Sequence, residues 1–163
     1  MALTEVWSHA TVLPPEPYSA SEARDFVCLQ LIEHEMLYLV EDVRLVASEF
    51  ATIAMVYTQA PFTLRLERMN DLIRLTVIEG SPPLPVRASA NTIDSSRQSL
   101  SVVEVVSQSW GMDPNPTGTR TLWACFTVRS QTGKVQQYAS LLFGGVVAFV
   151  IVLLITIQLS SNV

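Results

Sequence analysis

Charge is scarce in this chain, and what there is forms no basic cluster. Charged residues make up 15% of the 163 positions and the formal net charge is −5. Without basic runs interleaved with aromatics, nucleic acid is excluded as an expected partner. Cysteine is equally sparse. Cys28 and Cys125 have no CxxC spacing, so free thiols packed in a core are expected, with a disulfide only if the chain faces an oxidising compartment. His9 and His34 have no Cys or second His at ligand spacing. Each reads as a surface or capping residue, and no metal is expected. The opening MALTEVWSHATVLPPEP has no basic start and no apolar run, and Pro14, Pro15 and Pro17 would break one. No signal peptide is expected there. No internal repeat or low-complexity tract is visible.

What the chain does have is hydrocarbon. Hydrophobic residues reach 49% and mean hydropathy is +0.34. The excess is concentrated in ASLLFGGVVAFVIVLLITIQL, Ala139 to Leu159, which has no charged residue. At about 1.5 Å per residue such a run spans roughly 32 Å, enough to cross a bilayer. A single transmembrane helix is therefore expected at 139–159, after a linker at 130–138 and before a short tail at 160–163. Arg129 and Lys134 precede the run and no basic residue follows it, which places the domain of residues 1–129 in the cytoplasm by the positive-inside rule. The expected location is thus the cell membrane, single-pass and C-terminally anchored. Ser140, Gly144 and Ala148 recur every four residues and form a small-residue stripe that would suit packing against a second helix, leaving a homo-oligomer open.

Ahead of the run, the hydrophobic period changes several times. Trp7 to Leu13 predicts an edge strand ended by Pro14. Ser19 or Ser21 predicts the N-cap of a helix running to about Met36. Glu41 to Thr58 predicts a second helix, with Val43, Val46, Ala47, Phe50, Ala54 and Tyr57 along one stripe and Pro61 forbidding its continuation. Phe62, Leu64 and Leu66 alternate with polar residues, Asn70-Asp71 supplies a turn, and Ile73, Leu75 and Val77 continue as a partner strand. SPPLP, from Ser81, stops the sheet, and residues 86–97 predict a functional loop. Gln98 to Trp110 predicts a third helix, GMDPNPTG a turn, and Thr119 to Val128 a last strand with Leu122, Ala124 and Phe126 on one face. Trp110 and Trp123 read as core packing. The order gives an α+β class, helices packed on one face of a mixed or antiparallel sheet.

That order, with the strings LPPEP, LVASEFATIA, APFTLRL, SPPLP and WG in sequence, resembles the histidine-kinase-like ATPase domain. The resemblance is to its small anti-sigma-factor serine kinase-like branch and covers roughly residues 8–129. It implies a two-layer sandwich of that fold, here with one C-terminal transmembrane helix added. It also implies a nucleotide pocket. On the second helix the family carries a Glu, as general base, and four residues on an Asn that ligates magnesium. Here these positions are Glu49 and Ile53, with Tyr57 a further turn on. Hydrocarbon supplies no oxygen for magnesium. The adenine-binding Asp corresponds to Glu79, and the glycine-rich phosphate loop corresponds to Arg97-Gln98-Ser99-Leu100, both glycines replaced by Arg97 and Ser99.

These substitutions predict a degenerate ATP pocket and no enzyme activity. No cofactor is then expected, or ATP with magnesium if the pocket survives. The expected function is a membrane-anchored pseudokinase that binds a protein partner as regulator or adaptor. An active ATP-binding anti-sigma-factor-like serine kinase and a structural subunit of a membrane complex are the alternatives.

Overall fold

A period of two in the strands and a period near 3.6 in the helices put two apolar surfaces face to face. The computed structural model describes residues 6–80 and 100–129. In chain order it contains β1 (Trp7–Leu13), α1 (Ser19–Glu33), a 3-10 turn (Leu37–Leu39), α2 (Val40–Thr58), β2 (Phe62–Met69) and β3 (Leu72–Glu79). Then follow α3 (helical residues 100–106), β4 (Ser109–Pro114) and β5 (Arg120–Thr127). The strands form one five-stranded sheet in the order β1-β2-β3-β5-β4, with every neighbouring pair antiparallel.

Leu64 and Leu66 of β2, Ile73, Leu75 and Val77 of β3, and Leu122 and Ala124 of β5 are fully buried on one face. They meet Val27 and Leu31 of α1 and Val43, Val46, Ala47 and Phe50 of α2. Each buried aliphatic side chain contributes about 1.5–3 kcal/mol, so this single shared face dominates the stability of the domain.

The local signals at element ends are mostly made by residues other than glycine. α1 stops at Glu33 because Glu35 adopts a left-handed conformation (φ 58°). The Met36 amide then donates to the Leu31 carbonyl and the Glu35 amide to that of Ile32, the paired bonds of a Schellman cap. The helix is therefore shorter than the expected run to Met36. Its N-terminus differs too: Tyr18 occupies the cap position with no side-chain bond, and Ser19 is buried and donates to the Pro14 carbonyl at 2.6 Å. α2 closes on Gln59 (φ 48°) with Pro61 close behind. Asn70 (φ 56°) makes the two-residue connection between Met69 and Leu72.

Two expectations about the fold are corrected. The fold class included a mixed or antiparallel sheet of the histidine-kinase-like ATPase type plus a C-terminal transmembrane helix. The described residues instead form a small α+β domain on a wholly antiparallel sheet, and no helix among them is long and apolar enough to cross a membrane. The reason is amphipathicity: α1 carries Glu22, Arg24, Asp25 and Glu33, and α2 carries Glu41, Asp42, Arg44 and Glu49. The chain divides into units Met1–Val128 and Arg129–Val163. The stretch 139–159, with Ser140, Gly144 and Ala148, lies outside the described residues, as does the loop at 86–97. The second correction concerns residues 98–110. Helix is described only over 100–106, and Trp110 belongs to β4.

Candidate functional site

The stripe Glu49, Ile53, Tyr57 runs along α2 as its four-residue spacing requires. Glu49 is half-buried, Ile53 is 4% exposed within the hydrophobic core, and Tyr57 is half-buried at the C-terminal turn. Ile53 thus fills its position with hydrocarbon packed among other hydrocarbon.

Glu79, the last residue of β3, points to the same side of the sheet as Ile73, Leu75 and Val77 and is as thoroughly enclosed as they are. A buried carboxylate needs compensation, because stripping water from a charge is costly. Arg120, the first residue of β5, supplies it. Its Nη2 lies 2.5 Å from Oε1, its Nε donates to Oε2 at 3.0 Å, and its backbone amide donates to the same Oε2 at 3.1 Å. The two planar groups meet side by side in the two-pronged geometry that makes Arg–carboxylate pairs strong. Register explains the meeting. Ile78 stands opposite Thr121 in the antiparallel β3–β5 pair, so the next residues out, Glu79 and Arg120, face each other.

Tyr57 completes the arrangement. The Arg120 guanidinium carbon lies 4.6 Å from the centroid of its ring, a cation–π contact that holds the guanidinium on its other side. Three elements are thereby tied at one point: the end of α2, the end of β3 and the start of β5. Chemically this is a neutralised, occupied carboxylate. Three of the roughly four acceptor positions on Glu79 are taken, so it has little left to offer a ligand amino group.

The family resemblance marks Glu79 and Tyr57 in the sequence but not Arg120. The only available signal was the strand pairing that sets it against Glu79. Arg97 and Ser99, the other two pocket positions, lie outside the described residues.

His34 is the C-cap residue of α1, as a capping role predicts, and His9 is half-buried. His9 on β1 and His34 at the end of α1 come together, Nε2 to Nε2 at 2.9 Å, so one ring donates to the other. Trp7 stacks on His34 with ring centroids 4.0 Å apart and planes 6° from parallel. Among the described residues no group of three or more His, Cys, Asp or Glu is placed to hold a metal.

Trp123 is not a core residue either. It lies half-buried on the outer face of the sheet, across from Gly111, with Arg74 over its ring and Nε1 donating to Asp113 at 2.8 Å. Trp110 does pack against the core. Cys28 and Cys125 are both free and half-buried rather than core.

No protein-family model matches this chain, and no curated protein matches it either.

Proposed function

We propose that this domain is a protein-binding regulator or adaptor whose ATPase-like pocket has lost its chemistry. The observation that carries the reading is the engagement of Glu79 by Arg120 over the ring of Tyr57. In the family that the sequence resembles, this position reads adenine. Here a ligand amino group would have to displace a guanidinium from a buried carboxylate. Ile53 supports the same reading, since magnesium requires oxygen ligands in octahedral array and a buried isoleucine offers none. The residues present do not fit Mg-ATP, and phosphoryl transfer depends almost entirely on positioning and on charge neutralisation by the metal. A small α+β domain whose candidate pocket residues do not fit a nucleotide leaves surface recognition as its use.

Isothermal titration of the full chain with Mg-ATP tests this. We expect no binding at ligand concentrations up to about 100 μM and no phosphate release, with an affinity free energy therefore weaker than roughly −5.5 kcal/mol. Ile53→Asn should lower the melting temperature without creating activity, because it leaves an amide among hydrocarbon. Micromolar Mg-ATP binding or steady hydrolysis by the unmodified chain would overturn the reading in favour of an active serine kinase.

A further inference from the structure

The two edges of the sheet are not equally protected. β4 carries Asp113 and Pro114, and such residues discourage a further strand. β1, WSHATVL, carries no Pro, Lys, Arg, Asp or Glu. Its pairing with β2 runs unbroken from Trp7↔Arg68 to Leu13↔Phe62 without a bulge. Among the described residues nothing pairs with its other side, as its terminal place in the sheet order requires.

An open groove of about 360 Å³ follows this edge, lined by Thr11, Val12 and Leu13 of β1 and by Glu22, Asp25 and Phe26 of α1. On α1 itself the four-residue spacing carries the stripe of Asp25 beyond the groove to Leu29 and Glu33. Leu29 is 61% exposed, and Glu33 is exposed one turn further along the same stripe. The basic residue of this helix, Arg24, is turned the other way and donates to Ser48 of α2 at 3.0 Å. Along α1 this stripe is therefore acidic, then apolar, then acidic.

Its spacing matches an extended chain. Asp25, Leu29 and Glu33 are separated by about 6 Å per step at the helical rise, and side chains on one face of a strand recur every roughly 6.7 Å.

We infer that the outer edge of β1, unpaired among the described residues, is a docking site for an extended basic segment of a partner protein, which adds a sixth strand to the sheet. Its backbone would continue the ladder, while side chains in the order basic, any, apolar, any, basic would meet Glu22 and Asp25, then Leu29, then Glu33. A second copy of β1 is a poorer occupant, because WSHATVL brings no Lys or Arg to the acidic wall. The inference rests on the reading of this domain as a protein-binding module, which the nucleotide titration tests separately.

The probe is the peptide acetyl-Ser-Lys-Thr-Leu-Thr-Arg-Ser-amide, titrated into the full chain by isothermal titration calorimetry. Two other peptides serve as comparisons: one with Glu in place of Lys and Arg, and one N-methylated at alternate residues. The basic peptide should bind, and its affinity should weaken as salt screens the charges. It should bind about tenfold more weakly to the Glu22→Lys/Asp25→Lys variant, with a smaller loss for Asp25→Asn, and the acidic peptide should then prefer the doubly reversed variant. N-methylation should abolish binding. Equal affinity for basic and acidic peptides, indifference to N-methylation, or a sedimenting dimer that Val12→Pro dissolves would each overturn the inference, the last by making a second copy the occupant.

Discussion

Truncating Arg120 to Ala would leave Glu79 with the Arg120 backbone amide as its remaining donor from that residue, while the Glu79 side chain is 0% exposed. Removing one partner of such a buried pair costs about 3–5 kcal/mol, because the surviving charge keeps its desolvation penalty. Arg120→Ala should therefore unfold at a much lower urea concentration. Glu79→Gln/Arg120→Met removes both charges, keeps an acceptor for the backbone amide and keeps an apolar stem on the Tyr57 ring. It should cost only about 1–2 kcal/mol. Urea titration of the two variants checks this, and equal losses would mean that the pair contributes by packing rather than by charge. The residue scale is also where sequence reading was weakest. Glu79 and Ile53 carry a pocket role in the string only through the resemblance to the ATPase family. Arg120 is an ordinary arginine until the β3–β5 register puts it against a buried carboxylate. His9 and His34 are similar: 25 residues apart, they meet only because α1 runs back along β1.

Elements were more legible than their partners. The strands with strict alternation, Phe62–Met69 and Arg120–Thr127, and the long stripe of α2 follow their periods closely, since a half-buried strand or helix cannot hide its pattern. β4 was missed. SWGMDP contains Gly, Asp and Pro and has little strand propensity, and it is ordered by pairing with β5, with Trp110 packed against the core and Trp123 lying over Gly111. Where α1 ends was misjudged because a glutamate, not a glycine, takes the left-handed position. Close backbone approach is the other element-scale constraint that composition does not reveal. Gly80 follows β3 directly beside Pro61, and a Cβ there would run into the Pro61 carbonyl. Backbone cannot yield as a flexible side chain does. Gly80→Ala should thus cost about 3 kcal/mol, at the upper end of overpacking effects, and should loosen the Phe62–Glu79 end of the β2–β3 pair. Amide hydrogen exchange would show it as faster exchange at Phe62 and Glu79 than at Leu66 and Leu75. Uniform protection in the variant would refute the assignment.

At the scale of the whole domain, the two long helices form one layer, and the seam between them carries a titrating reporter. Cys28 lies one turn beyond Arg24, which bonds Ser48 across the seam. Its thiol is pushed above the ordinary value of 9.0, first by burial and then by Asp25 and Glu41, with Arg44 and Arg24 pulling the other way. The native seam thus favours the protonated thiol. Because the folded-state value is the higher one, its contribution to stability is fully present below about pH 8, under the unfolded thiol value, and is lost as pH rises through the folded one. Two measurements follow on a Cys125→Ser background, where Cys28 is the sole thiol. Iodoacetamide should alkylate the native protein more slowly at about pH 8.5 than it alkylates the urea-unfolded chain, since only the thiolate attacks. The urea midpoint should fall as pH rises above about 8, and part of that fall should vanish when Cys28 is replaced by Ala. A native thiol that reacts as fast as the unfolded one would mean that the α1–α2 seam opens on the timescale of labelling. The two helices would then be a separable layer, and the acidic wall that α1 presents beside β1 would not be held in place for a partner.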